Sequence, residues 1–195
     1  MLVAGHETTA TSLAWALRWL WVDAPLVERL RAEIATAGGD PQAVAKLDLL
    51  DRTVREALRL QPVVPLVARL LQRKMEIGGM TLEAGEVVAP AIYLVHRRPS
   101  LYPEPKRFRP DRFIGFKPAP WEWLPFGGGL RRCIGAAFAI FEMKMVLAAL
   151  LPRVDARLAV NRVAPTRRGI TLTPQGGLPV VVTARRSKDA CARAT

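Results

Sequence analysis

Phe126-Gly127-Gly128-Gly129-Leu130-Arg131-Arg132-Cys133-Ile134-Gly135 places three consecutive glycines and two arginines ahead of a single cysteine, and an apolar run follows to about Leu151. A glycine-rich loop that delivers a cysteine to the start of a helix suits a thiolate. The first turn of a helix presents unpaired N–H groups and about half a positive charge, and both stabilise S⁻. Gly127 to Gly129 let the backbone bend and approach a flat ligand where a Cβ would clash. Arg131, two residues before the sulfur, can reach an anionic group at the edge of such a ligand. A glycine loop opening a helix can also cradle a phosphate, but no lysine followed by Ser or Thr occurs in this one. A buried structural cysteine is the plain alternative, and the loop alone does not decide between them.

Around that loop lies a chain of 195 residues, half of them hydrophobic, with a mean hydropathy of +0.13. Such a chain forms a core and buries roughly 70% of its unfolded surface. The net charge is +12, with arginine far outnumbering lysine. The basic residues are scattered and lack aromatic interleaving, which argues against a nucleic-acid surface. Compositional bias and a basic face that docks an acidic electron-transfer protein both remain open. The second cysteine, Cys191, lies in a polar tail, so residues 1–185 read as one domain and 186–195 as a disordered tail without a disulfide. Met1-Leu2-Val3-Ala4-Gly5 lacks the basic start of a signal peptide. The apolar run from Leu2 to Val22 carries His6, Glu7, three threonines and Arg18, which excludes a membrane span. A reducing, cytoplasmic setting is expected.

Leu2 to Val22 reads as a helix that is apolar on nearly every side, with Trp15, Trp19 and Trp21 along it. Nothing caps its start, so the chain reads as the C-terminal part of something longer. Asp23 and Pro25 open a second helix that runs to Gly38-Gly39. Asp40-Pro41 starts a short segment, and a further helix spans about Leu49 to Leu60, stopped by Pro62. Strands are expected at Val67–Arg73, Met75–Ile77 and Glu86–Pro90. Residues 97–125 are rich in proline and aromatics without periodicity, and so long an irregular segment is usually functional or held by specific contacts. Beyond the cysteine helix, strands are expected at Val154–Leu158, Ile170–Thr173 and Pro179–Ala184, the last two pairing as a hairpin across Pro174-Gln175-Gly176-Gly177.

Three other stretches can carry chemistry. Ala4-Gly5-His6-Glu7-Thr8-Thr9 sets a glycine, an acid and hydroxyls within the apolar helix. Gly5 opens room for a small ligand at a helical cost of about 1 kcal/mol. Thr8 can bond a carbonyl one turn back, and a buried Glu7 beside it makes an acid–alcohol pair able to relay protons. The alternative is that both merely face solvent. Glu56 and Arg59 share a helix face three residues apart, a spacing that as an exposed pair is worth only about 0.2–0.5 kcal/mol. Phe108-Arg109-Pro110-Asp111-Arg112-Phe113 offers Arg112 as a third charge, and a buried Glu–Arg–Arg network would lock the irregular segment. His6 and His96 lack zinc-binding spacing, and no GxSxG element supports a serine nucleophile.

Taken in order, these stretches resemble the C-terminal half of a cytochrome P450. Phe126-x-x-Gly129-x-Arg131-x-Cys133-x-Gly135 is similar to the family's haem-binding loop, and Ala4-Gly5-x-Glu7-Thr8-Thr9 to the oxygen-activation motif of its central helix. Glu56-x-x-Arg59 resembles the family's helical charge motif. Phe108-x-Pro110-x-Arg112-Phe113 resembles the motif that completes its triad, with Asp111 where glutamate is common. The fold class implied is mainly α with small β-sheets (α+β), a partial cytochrome P450 domain over residues 1–185, in the style of soluble bacterial members.

The resemblance implies that Cys133 is the thiolate ligand of the iron of haem b, with Phe126 packed near the sulfur, Gly129 and Gly135 shaping the loop, and Arg131 and Arg69 pairing with the haem propionates. Gly5, Glu7 and Thr8 would hold dioxygen and deliver protons. Glu56, Arg59 and Arg112 would form the structural charge triad, and Val63, Val64, Val67 and Gln175 would line the substrate site. The implied reaction is a monooxygenation: one atom of O2 enters a hydrophobic organic substrate and the other leaves as water. Electrons would come indirectly from NAD(P)H through a ferredoxin- or flavodoxin-type partner, with no nucleic acid and no membrane segment in this chain. Two other readings are a truncated, inactive product and a P450-fold isomerase or dehydratase acting on peroxides. The Glu7-Thr8 pair speaks against the latter.

Overall fold

The computed structural model describes residues 2–186. The first helix, α1 (Leu2–Leu20), places Trp15, Ala16 and Leu20 fully inside the protein. Trp15 is large enough to require a partner for its indole N–H, and that group donates to the Leu172 carbonyl at 3.0 Å. Helix α2 (Ala24–Thr36) starts as its sequence dictates: the Asp23 carboxylate accepts from the Leu26 N–H and Pro25 sits in the first turn. It buries Leu26, Val27, Leu30, Arg31 and Ile34, one stripe at helical spacing. The buried Arg31 is satisfied by the Leu151 carbonyl at 2.7 Å and Asp155 at 2.6 Å, which ties α2 to the far end of the chain.

Asp40 caps the short α3 (Pro41–Ala45) through the Gln42 and Ala43 N–H groups. The next helix, α4 (Asp48–Leu60), has leucine at its N-cap and no side-chain cap of its own. Glu33 of α2 takes that role, accepting from the Leu49 and Leu50 N–H groups at 2.7 and 2.9 Å. A carboxylate at a helix N-terminus satisfies orphan donors and complements the helix dipole, so α2 fixes where α4 begins.

Helix α5 (Ile92–Val95) is a single turn, and the segment from Arg97 to Pro125 holds only a 3-10 turn at Pro110–Phe113. The last helix, α6 (Ala136–Leu150), presents Met143 and Leu147 to the core and Lys144 to a polar seat beneath it. The Lys144 Nζ donates to the Ala45 carbonyl at 2.8 Å and lies 2.6 Å from Asp51, tying α6 to α3 and α4. The core is where α1, α2, α4 and α6 meet. Ala16, Leu20, Leu30, Val54, Leu58, Met143, Leu147 and Leu151 form one cluster there, with Phe126 and Trp123 packed on its edge.

Among the described residues the strands make four antiparallel two-stranded ribbons. Strand β1 (Arg69–Leu70) pairs with β4 (Val87–Val88), and β2 (Met75–Ile77) with β3 (Met80–Leu82). The expected strand over Val67–Arg73 is thus cut to its middle, because its partner offers only two paired residues. The C-terminal hairpin also differs from expectation. Strand β7 (Thr171–Pro174) pairs with β6 (Pro165–Arg168) across Gly169-Ile170, while β8 (Val180–Arg185) pairs with β5 (Val154–Leu158). Gly169 at φ +60° supplies the tight turn. The stretch 174–177 then carries the chain from one ribbon to the other. At the end of the described residues Arg186 pairs with Asp155 and Glu28, at 2.8 and 3.2 Å. The rest of the expected tail, including Cys191, lies outside the described residues.

Candidate functional site

The cysteine loop begins with a tight turn at Leu124-Pro125-Phe126-Gly127, closed by the Gly127 N–H on the Leu124 carbonyl at 2.9 Å. Gly127 and Gly129 stand at φ +69° and +63°, a backbone region that costs other residues about 1–2 kcal/mol. A 3-10 turn at Gly129–Arg131 follows. The chain then folds back so that the Cys133 N–H donates to the Phe126 carbonyl at 2.9 Å. Phe126 packs on the core and edge-on against Trp123, with ring centroids 6.1 Å apart. Trp123 is itself held by α4 through a 3.3 Å bond to the Arg55 carbonyl. The aromatic pair therefore fixes one end of the loop to the core, and the backbone bond carries that position to the cysteine.

Cys133 is a free thiol at the surface. It does not begin the helix as expected. The helix starts at Ala136, with Gly135 at its N-cap, so the cysteine stands three residues ahead of it. Its carbonyl accepts from the Ala136 N–H at 3.4 Å. A Cβ on Gly135 would lie 3.8 Å from the sulfur, so glycine keeps that flank open. Near the thiol Leu130, Ile134 and Phe138 are 105%, 84% and 68% exposed, alongside the exposed Arg131 and Arg132. Exposed apolar residues so close together mark a face built to be covered. Arg131 and Arg69 form no ion pair with a carboxylate among the described residues. Arg69 lies on β1, and its guanidinium donates to the Ala68 carbonyl at 2.9 Å.

Behind the loop, Glu56, Arg59 and Arg112 form a buried network, with side chains 0%, 0% and 5% exposed. Both Glu56 oxygens receive Arg59, from Nε at 2.7 Å and Nη2 at 2.9 Å. Arg112 Nε reaches Oε1 at 2.9 Å. The Arg109 N–H makes a further bond to the same carboxylate at 2.9 Å. One carboxylate faces two guanidiniums, and carbonyl oxygens satisfy the surplus donors. Arg59 gives Nη1 to His96 and Pro105, and Arg112 gives Nη1 to Pro103 and Nη2 to Glu104 and Arg107. Isolated buried charges are costly, so such a network survives only when every donor is used. Its effect is to pin residues 96–112 onto α4. The long irregular segment is held by specific contacts, and Asp111 adds outer ones to Arg29 of α2 and Arg52 of α4, at 3.1 and 2.5 Å.

Sequence reasoning missed one residue in this network, His96. It is fully buried, and its ring bonds Arg59 on one side and Leu124 on the other. A lone histidine in an aperiodic segment carries no spacing signal, and its partners lie 37 and 28 residues away in sequence.

At the N-terminal end of α1 the picture is looser. The Glu7 side chain is half exposed and lies 3.9 Å from Arg168 of β6. Glu7 is thus not buried in this structure, where the helix turns Thr9, Thr11 and Ser12 inward instead. Thr8 is half-buried and its hydroxyl donates to the Gly5 carbonyl at 3.3 Å, and Ser12 reaches the Thr8 carbonyl at 2.9 Å. A Cβ on Gly5 would meet no atom within 4 Å, so there is space beside the helix. Of the expected lining residues, Val63 is buried and its carbonyl accepts from the Leu172 N–H at 2.7 Å. Leu172 also receives Trp15, so α1, the Val63 segment and the ribbon leading to Gln175 meet in one place. Val64 and Val67 are half-buried on that segment, and Gln175 is exposed at the turn.

The donor set suits haem. A single soft sulfur atom stands at the surface on a glycine-rich loop beside exposed apolar side chains, and Arg131 and Arg69 make no carboxylate ion pair among the described residues. Among the described residues no three His, Cys, Asp or Glu side chains converge as a metal cluster. Also among them, no helix is long and apolar enough to cross a membrane.

Comparison with known proteins shows what the chain is similar to. The sequence profile of the family described as Cytochrome P450 matches residues 1–178. Similar curated proteins of Mycobacterium tuberculosis include "Putative cytochrome P450 135B1", 44% identical over all of this chain and 41% of the relative. Another is "Putative cytochrome P450 137", 40% identical over 92% of the chain and 36% of the relative. In Mycobacterium bovis, "Putative cytochrome P450 138" is 36% identical over 95% of the chain and 41% of the relative. The chain thus spans about two fifths of the length of the curated relatives it matches.

Proposed function

The chain belongs to the cytochrome P450 family, and from that premise we propose that it carries the haem-thiolate half of a monooxygenase acting on a hydrophobic organic substrate. Cys133 is the ligand, and the exposed apolar apron of Leu130, Ile134 and Phe138 around its free thiol is the observation that carries the assignment. Haem b bound there would supply dioxygen chemistry, in which two electrons and two protons are taken up so that one oxygen atom enters the substrate and the other leaves as water.

The chain's own residues do the rest. Phe126 and Trp123 hold the loop against the core, and Gly129 and Gly135 keep backbone and side-chain atoms clear of the ligand's face. Arg131 and Arg69 meet the propionates as cations without competing carboxylates. The Glu56–Arg59–Arg112 network keeps the segment before the loop at a fixed height above α4, so the sulfur is positioned before any ligand arrives. Along α1, Gly5 leaves room beside the helix, and Thr8 and Glu7 would hold and pass protons. Glu7 would have to leave Arg168 and become shielded to do so, and a contact as long as 3.9 Å between a half-exposed carboxylate and a largely exposed guanidinium is weak enough to permit that. Val63, Val64, Val67 and Gln175 line the substrate side. The net charge of +12 supports docking of an acidic ferredoxin- or flavodoxin-type protein that passes on electrons from NAD(P)H.

Titration of the chain with haem tests the reading. The expected result is one equivalent bound with a thiolate-type spectrum, lost in Cys133→Ala and retained in Cys191→Ala. Equal loss in both variants would overturn the ligand assignment. Failure of the unaltered chain to bind would favour the reading in which it is inactive by itself.

A further inference from the structure

The imidazole of His96 has one neighbour that can only accept a hydrogen bond and one that can only donate. Nδ1 lies 3.0 Å from the Arg59 carbonyl oxygen, and the Leu124 N–H points at Nε2 from 2.8 Å. A carbonyl has no proton to give and a backbone N–H has no lone pair to offer. Both contacts are hydrogen bonds in one state alone, the neutral ring with its proton on Nδ1. The other tautomer sets two lone pairs against each other on one side and two hydrogens on the other, and the imidazolium breaks the Leu124 bond.

We infer that His96 is a positioning residue for the Cys133 loop, fastening the first residue of that loop, Leu124, to the C-terminal end of α4 through a neutral imidazole protonated on Nδ1. Five bonds make the connection. Arg59 Nη1 holds the His96 carbonyl at 2.6 Å while the ring returns a bond to the Arg59 carbonyl. Nε2 then holds Leu124, whose carbonyl closes the turn on Gly127 at 2.9 Å, and Phe126 inside that turn receives the Cys133 N–H at 2.9 Å. The Glu56 network thereby reaches the cysteine through a single side chain.

The surroundings keep the ring neutral. It is fully buried, which pushes its pKa down to about 3, and the nearby cations Arg59 and Arg97 act in the same direction. Tyr102 meets the ring edge-on at 6.4 Å, and its own pKa is raised by burial to about 12, so it too stays neutral. Glu56, the carboxylate that Arg59 binds, has both its oxygens occupied by arginine.

The inference rests on the haem-thiolate reading only in what the loop is positioned for, and its test needs no haem. The chain holds two histidines, so ¹⁵N-imidazole labelling in a His6→Gln background observes His96 alone. The Nδ1–H tautomer is expected from about pH 8 down to about pH 5. An Nε2–H tautomer, or an imidazolium at neutral pH, overturns the proposal whether or not any variant folds. Amide exchange then reads the positioning. His96→Leu is expected to speed exchange at Leu124 and Cys133 by about tenfold, leaving α2 unchanged, and His96→Gln, whose amide keeps a donor and an acceptor, is expected to restore part of the protection. Unchanged exchange at Cys133, or acceleration spread equally into α2, overturns it. If these outcomes hold while the unaltered chain fails to bind haem, the functional reading falls and the positioning role stands.

Discussion

Arg59 and His96 exchange hydrogen bonds in both directions: the arginine side chain donates to the histidine carbonyl at 2.6 Å, and the histidine ring donates to the arginine carbonyl at 3.0 Å. Arg59 is also the residue through which Glu56 is neutralised. Charge balance and loop position thus share one side chain, and disturbing either is felt by the other.

Acid stability follows from that pairing. The folded protein holds His96 at a pKa of about 3, against an ordinary value of 6.5. A depressed histidine favours the folded state fully above the unfolded value and loses that contribution as pH falls toward the folded one. Stability is therefore expected to fall by about 1.4 kcal/mol per pH unit between about pH 6 and about pH 4, with one proton taken up on unfolding. Asp51, Asp111 and Asp155 are also depressed, by hydrogen bonds to Lys144, Arg29 and Arg186 foremost among their stabilising partners. Their contributions are lost only as pH falls below the ordinary carboxylate value of 3.8. Urea unfolding across that window checks this. His96→Gln should flatten the slope, and an unchanged slope would mean another group is responsible.

Removing Arg112 tests the buried network. Arg112→Leu strips one partner from Glu56 and abandons the carbonyls of Pro103, Glu104 and Arg107. A loss of about 3–5 kcal/mol in denaturant unfolding is expected, as for a broken buried ion pair. Arg112→Lys should recover little of it, because one ammonium cannot replace a planar fork with four acceptors around it. A loss below about 1 kcal/mol would show that the segment 103–112 is held by packing instead.

Lys144 is the corresponding tie on the cysteine side of the fold. Lys144→Met keeps the aliphatic stem and removes the bonds to Ala45 and Asp51, for an expected cost of about 1–3 kcal/mol. Asp51 retains Arg55, so the cycle with Asp51→Asn should give a coupling of about 1 kcal/mol and no more, given that Asp51 is a quarter exposed. Independent, additive effects of the two substitutions would contradict the contact.

Much of this was legible from local signals. Asp23 and Asp40 announce helix starts by cap chemistry, the glycines before Cys133 announce a loop that needs positive φ, and the spacing of Glu56 and Arg59 puts them on one face. What was illegible depends on partners distant in sequence. Glu33 caps α4 from another helix, a bond between residues 16 and 17 apart that no pattern around Leu47 reveals. Strand β7 had two candidate neighbours, and the tight turn at Gly169 won over the looser stretch at Pro174–Gly177. Glu7 was expected beneath a covering layer and instead meets Arg168 half-exposed, because the apolar composition of α1 does not say which of its faces the rest of the chain covers.

The central claim is that Cys133 is an iron ligand in waiting. The most direct measurement is the ferrous–CO spectrum of the haem-loaded chain. A red-shifted Soret band of the thiolate type, abolished by Cys133→Ala, is predicted. A band at the position given by nitrogen ligands in the unaltered chain, or one that survives Cys133→Ala, would contradict it.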